Sequence, residues 1–571
     1  MELEPPAVQD PRRSPARSSA ALALAFVAAL SPAAVPAATL ATTHVVAKGG
    51  DESPDATGTF FQLTVPVLGA SGQAAFGANI YDDHGFLVGD GLLRASAPAD
   101  LVLIARAYQL GHNPSGWPAP DGNGYLSPLS TPATAINESG QVAFYSRLTQ
   151  TFAPTEAEGF FVGTGGQVGL VQIARPNDAV PNTTDVISDL STPSSILCLN
   201  DAGLLAFVAG VSGANQALAI LTGDDTAGSL VEVVRGGQAT PDNTATFLEF
   251  IAPTPINQSG QVAFSALSVP SGGGIFRAGG GPLTKIAQTG DASPDGNGIF
   301  LALGTVAPAF NDAGQAAFFA NLSGTTGGSS DNAGIFRGDG SSLAVIARRG
   351  DLTPGGNGRL LDIFSVAFAF NDLGQVLFES TITGAQNGSA AGIFRGDGGA
   401  LTPIARINDL APGGGVFSKF ETTTLALNGH GQAVFQAFID LGDGGSTQDT
   451  EGLFFYDDVR GLVAVARLGD AVPGASTVGQ INFAGATFRG PGTSGLNDKG
   501  QVAYLMGGDD GIPYVVVAPE PGGGALALAA VAALLVRRSS ALRSSSSSSV
   551  RGQSPRRRRE SARSASSFPS V

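Results

Sequence analysis

Carboxylates recur at one place in this chain. Asp51, Asp178, Asp291, Asp351, Asp409 and Asp470 each open a short Asp-x-x-Pro segment, and Gln238 stands in an otherwise matching one. Oxygen ligands on glycine-rich turns are the kind that hold Ca2+, which makes Asp291, Asp351, Asp409 and Asp470 the metal candidates. A Ca2+ site needs several oxygens on one ion, and one Asp per segment at near-equal intervals keeps them apart. An Asp capping its own turn is the favoured reading. No cofactor is assigned, with Ca2+ the one ion these residues would take.

A second constellation lies in "AYQLGHNPSGWPAPDGNGYLSP", which carries Trp117, the one Trp of the chain, with Tyr108, His112, Asp121 and Tyr125. Aromatic platforms beside carboxylates suit sugar stacking, and binding residues concentrate on loops. Trp117, Tyr108, His112 and Asp121 are therefore the ligand-binding candidates, with extracellular polysaccharide as the partner. The plainer reading is an aromatic insertion packed onto its own sheet.

No catalytic residue is assigned. The sequence contains no G-x-S-x-G elbow, H-E-x-x-H helix or G-K-[ST] phosphate loop. Cys198 has no second cysteine to pair with and no His near it in sequence, so it reads as a small buried hydrophobe. A hydrolase or lyase could still be assembled from carboxylates meeting across distant segments, which makes a polysaccharide-acting enzyme the alternative to a binding module.

The elements that must position these residues repeat. The turns "VLGASGQAAF", "AINESGQVAF", "CLNDAGLLAF", "PINQSGQVAF", "AFNDAGQAAF", "AFNDLGQVLF", "ALNGHGQAVF" and "GLNDKGQVAY" place their glycines 68, 63, 57, 54, 60, 57 and 69 residues apart. In all but the first, Asn, which tolerates αL and can bond its own backbone two residues on, suits a tight reversal, and Gly accepts positive φ, so two apolar runs pair as antiparallel strands. Val262-Ala263-Phe264 is apolar on both faces, as a strand covered on both sides should be. A second unit, "GIFRGDGSSLAVIARRGDLTPGG" and its copies, supplies two more strands.

Such a period suits a blade of four strands. High Gly (80) and Pro (35), with only 14% charged residues, likewise favour short strands and turns. The expected fold is all-β: a β-propeller of eight four-stranded blades. The strand at Val45-Val46 lacks a partner before it and Tyr514-Val517 lacks one after it. Their pairing would close the ring and remove free edges.

Net charge is −16, although the segment from Arg537 onward carries nine Arg against Glu560 alone, so the body is more acidic than the whole. An acidic body repels phosphate backbones, and no nucleic-acid partner is expected.

The ends read as addresses. Residues 1–38 run from Arg12, Arg13 and Arg17 through a short apolar stretch to small residues near Ala37 and Ala38, the order of a secretory signal peptide. Residues 39–518 form the repeat region. Residues 519–538 combine Pro519-Glu520-Pro521, an apolar run over 522–536 and Arg537-Arg538. Residues 539–571 are a Ser/Arg-rich tail whose composition predicts disorder.

The segment 519–538 resembles the PEP-type C-terminal sorting signal that exosortase systems of Gram-negative bacteria process, except that the chain continues past the basic pair. The resemblance implies export, exosortase-type sorting machinery as partner, transient membrane insertion through 522–536, and a cell-surface or extracellular protein, anchored or released. The repeats resemble exported bacterial proteins described by an N-x-x-G-x-x-A-F tandem repeat with assorted C-terminal anchors, matched at Asn137/Gly140/Phe144, Asn257/Gly260/Phe264, Asn311/Gly314/Phe318 and Asn371/Gly374/Phe378. Asn497/Gly500 has Tyr504 for Phe, and the first copy has Gly69 for Asn. That resemblance supports architecture and address without supplying a function; the favoured reading of the whole chain is a non-catalytic binding or structural module of the cell envelope or extracellular matrix.

Overall fold

Eight small antiparallel sheets stand around a central axis in a computed structural model, forming an eight-bladed β-propeller. The structure describes residues 43–520 apart from 108–115, 128, 130–133, 153–156, 191–196, 213–216, 227, 252–253, 304–305, 387, 443–449, 473 and 486–492. The signal-peptide stretch, the apolar run over 522–536 and the Ser/Arg tail lie outside the described residues.

Blade 1 shows the plan. Its first strand is split into Thr59–Leu63 and Val67–Leu68, both paired with the second strand, Ala74–Tyr81; Leu87–Ala95 and Val102–Arg106 follow in order. The first strands are innermost. Those of blades 1 and 8 come close enough for Leu68 N–H to donate to Ser494 O at 2.7 Å. In blade 6 the same strand runs unbroken over Arg359–Phe370.

Closure is by the two chain ends, as expected from the sequence. His44–Lys48 lies antiparallel to Pro513–Ala518, with Val45 opposite Val516 and Lys48 opposite Tyr514, and completes blade 8. Val46 and Ala47 are fully buried there. Closure leaves no blade with a missing strand, which is how rings of sheets avoid templating edge-to-edge association.

The apolar runs do what their lack of alternation predicts. Val262, Ala263 and Phe264 are all fully buried, because one face of the strand meets the blade before and the other the blade after. The Phe of each "GIF" lies opposite the Phe that ends the preceding apolar run. Phe264 pairs with Phe276, Phe318 with Phe336 and Phe435 with Phe454 at ring separations of 5.7, 6.0 and 5.7 Å. A first-strand Phe stands edge-on to the third-strand ring in each of these blades: Phe247, Phe300 and Phe417. Edge-to-face geometry sets the positive ring edge against the negative face, worth about 0.5–1.5 kcal/mol per pair beyond burial.

The meander sorts the connections onto two faces. The Asn-x-x-Gly turns and the third-to-fourth-strand turns share one face. The blade-crossing loops and the second-to-third-strand turns share the other.

Candidate functional site: the turn face around the axis

Each Asn-x-x-Gly turn is held by its own Asn. In blade 5 the Gln315 N–H donates to Asn311 Oδ1 at 2.9 Å and the Gly314 N–H to Asn311 O at 3.0 Å. Positive φ falls on the glycine (Gly314, φ 75) and not on the Asn, so αL tolerance is not why Asn is used. The reason lies in the other half of its amide. Asn311 Nδ2 donates to Asn371 O of blade 6 at 3.2 Å, and the same bond recurs around the ring from Asn137, Asn200, Asn257, Asn371 and Asn428 to the turn of the following blade. Asn497 Nδ2 closes the circuit on Gly69 O at 3.1 Å. Gly69 has no side chain to continue it, so the belt breaks between blades 1 and 2.

A tier of carboxylates lies over this belt. In four turns the residue after the Asn offers its backbone N–H to the matching carboxylate of the next blade: Glu138 to Asp201, Gln258 to Asp312 and Asp312 to Asp372 at 2.8 Å each, and Gly429 to Asp498 at 2.7 Å. Gln258 Nε2 adds a bond back to Asp201 at 2.7 Å. Asp498 stands three blades from Asp312, yet its charge reaches it. Burial first, then repulsion from Asp372, Asp201 and Asp498, raises the Asp312 carboxyl above the usual range. These carboxylates therefore converge on the axis as an acidic rim that favours cations over anions. Sequence reasoning missed this convergence. Its signal was the acid after Asn in one N-E and four N-D turns, which looked like turn chemistry alone.

Arginines latch the blades together at the same face. The "GIFR" arginines Arg277 and Arg337 donate from Nη1 to Gly314 O and Gly374 O of the next blade at 2.9 and 2.6 Å, and Arg94 and Arg395 do the same to Gly140 and Gly431. Blade 7 has Phe455 in that register, and there Glu520 takes over, accepting from Gln432 Nε2 at 2.8 Å and pairing with Arg460. Pro519 and Glu520 are thus part of the described fold, while Pro521, Arg537 and Arg538 lie outside the described residues.

The crossing-loop aspartates do not meet one another. Each accepts the backbone N–H three residues back: Gln288 to Asp291 at 2.9 Å, Arg348 to Asp351 at 2.7 Å, Arg406 to Asp409 at 2.8 Å and Arg467 to Asp470 at 2.8 Å. Asp291 also meets Lys285 at 3.3 Å. Among the described residues no group of three or more His, Cys, Asp or Glu is arranged to hold a metal ion. The loops are clamped by outer-strand arginines that the sequence reading passed over. Arg348 reaches Asp295 at 2.5 Å and Asp331 O at 2.6 Å, and Arg175 reaches Asp121 at 2.5 Å.

Asp121 is therefore engaged as a loop clamp. Trp117 is half-buried and packs against the apolar clusters of the first two blades, with its backbone N–H donating to Arg106 O at 2.9 Å. Tyr108 and His112 lie outside the described residues. Cys198 is buried in a strand opposite Ala206.

Fold and site together define an eight-bladed propeller whose repeated polar residues join blade to blade. The chain belongs to a family of unknown function, DUF7453, whose sequence profile matches residues 37–391 and 381–525. No curated protein matches it in sequence. Solved structures similar to it include prolyl oligopeptidase B from Galerina marginata, at 11% identity and TM-score 0.36 over 80% of this chain and 55% of that one. The chain thus spans about half the length of that enzyme. A Trypanosoma rangeli sialidase matches at 9% identity and TM-score 0.25 over 84% of this chain and 58% of that one. The Aleuria aurantia lectin matches at 14% identity and TM-score 0.23 over 59% of this chain and 96% of that one.

Proposed function

We propose that the protein is an exported, surface-associated propeller that serves as a non-catalytic binding or structural module of the cell envelope or extracellular matrix. One observation carries the reading: the recurring polar residues are spent on the fold. The Asn belt, the arginine latches, the loop-capping aspartates and Asp121 each bond backbone or side chain of their own ring. Residues committed to holding eight blades together suit a rigid display surface. The leader over 1–38 and the three-part segment over 519–538 support export and handling by exosortase-type machinery.

Extracellular polysaccharide is the partner this reading assigns, through the segment around Trp117. The test is a glycan array with the purified protein and its Trp117→Ala variant, alongside fractionation of the source cells. Binding lost in the variant and surface location support the reading. Retention inside the cell would overturn the export half, and turnover of a polysaccharide by the purified chain would overturn the non-catalytic half.

A further inference from the structure

Glu379 sits on the second strand of blade 6 (Val376–Thr383), one residue past Phe378, and is 5% exposed. Where the residue at this position is polar in another blade, in blades 2, 4 and 7, it sends a hydrogen-bond donor toward the inner strand of the next blade, whereas blades 1, 3, 5 and 8 have Gly77, Val208, Phe319 and Leu505 there. Ser265 Oγ donates to Val306 O at 2.5 Å, and Gln436 Nε2 to Ile481 O at 3.0 Å. Tyr145 OH donates to Glu158 at 2.8 Å, whose other oxygen accepts the Leu190 N–H at 2.9 Å. A carboxylate has no hydrogen to give in such a place, whereas a carboxylic acid has one.

The surroundings favour the acid form. Among the described residues Glu379 Oε2 is buried with no hydrogen-bond partner, and an unpartnered buried charge costs far more than an unpartnered neutral group. The inner strand of blade 7 and the turn after it bring two charged groups to this seam, Lys419 and Glu421. They bond to each other at 2.6 Å, and Lys419 Nζ also lies 5.1 Å from the centre of the Phe438 ring. Glu451, on the third strand of blade 7, feels the same two groups and is raised by burial, while Gln436 bonds to it. Burial and then Glu421 push the Glu379 carboxyl up to about 8, against the pull of Lys419.

We propose that Glu379 is carried in the folded ring as the neutral carboxylic acid, and that its ionisation loosens the seam between blades 6 and 7, making one of the eight seams responsive to mildly alkaline conditions. In the unfolded chain the same group gives up its proton near its ordinary value of 4.5. The folded state thus binds one proton more between about 4.5 and about 8. The stability this confers is complete below the lower limit, declines across the window and is gone above the upper one.

The test is urea unfolding of the purified full chain at a series of pH values across this window, for the wild type and Glu379→Gln. Glutamine keeps the shape and supplies a donor. Within the window one proton changes the folded-to-unfolded ratio about tenfold per pH unit, and the variant should lose that one-proton share of the slope. Other raised carboxyls, such as Asp90 and Asp351, contribute equally to both proteins and cancel. Hydrogen exchange on the wild type supplies an independent measurement should the variant not fold. Above the upper limit, amides of 421–427 should exchange faster than the intrinsic pH effect requires, while those at the Ser265 seam should not. Equal slopes for the two proteins, or exchange that rises alike at both seams, would overturn the proposal.

Discussion

Removing one amide from the belt should cost far more than its size suggests. Asn311 is 3% exposed and makes three side-chain bonds: Nδ2 to Asn371 O at 3.2 Å, Nδ2 to Gln315 Oε1 at 3.1 Å, and Oδ1 from the Gln315 N–H at 2.9 Å. In Asn311→Ala the Gln315 N–H loses its acceptor on the side facing the turn. Asn371 O keeps the Gly374 N–H at 3.0 Å and is only half stripped. A net loss of about 1 kcal/mol for each of the two Nδ2 bonds, with about 1–3 kcal/mol for the orphaned, part-buried Gln315 N–H, gives a destabilisation of about 3–5 kcal/mol. Asn311→Asp restores the acceptor for Gln315 but sets a carboxylate oxygen against Asn371 O, so it should not rescue the loss. Equilibrium urea denaturation, with the slope unchanged and the midpoint lowered, is the assay. A midpoint within about 0.5 kcal/mol of wild type, the usual effect of an unremarkable surface change, would show that the belt does not hold the blades.

Tyr504→Phe should act in the opposite direction. The hydroxyl is fully buried with no partner among the described residues, while Phe fills the same position in the other seven blades, so removing it is expected to stabilise by about 1–3 kcal/mol, read as a raised thermal midpoint. Asp339 is held down to about 2: burial opposes this, but the backbone N–H groups and hydroxyls of Ser342 and Ser341 win. A lowered folded value means its stabilising effect is present above the unfolded value of 3.8 and disappears as pH falls through about 2. Asp339→Asn should therefore be less stable than wild type at neutral pH and converge with it in acid, as followed by unfolding at several pH values. Deleting His44–Lys48 bares the edge of Pro513–Ala518, and size-exclusion chromatography should then show association in place of a monodisperse species.

Much of the architecture was legible beforehand because repetition amplifies a weak local signal. One N-x-x-G turn means little, but seven of them and a degenerate eighth at a period near 60 residues demand a stacked unit, and the orphan strands at Val45 and Val516 fit only each other. The capping role of Asp291, Asp351, Asp409 and Asp470 was equally readable, since it spans three residues of chain. The polar joints between blades were not. Arg337 meets Gly374 and Asn311 meets Asn371 across 37 and 60 residues, and nothing in a turn's own sequence says which backbone oxygen a neighbouring blade will present.

The chain alone therefore determined what local chemistry decides: where it reverses, which runs are apolar on both faces, and how many blades there are. Tertiary structure decided where charge accumulates. Asp201, Asp312, Asp372 and Asp498 are scattered along the sequence and converge only because ring closure brings every turn to one axis. Glu379 is an ordinary acid in sequence, and it becomes a proton store only where two sheets exclude water around it. Burial and electrostatic reach depend on distance in space, and the closed ring is what sets that distance.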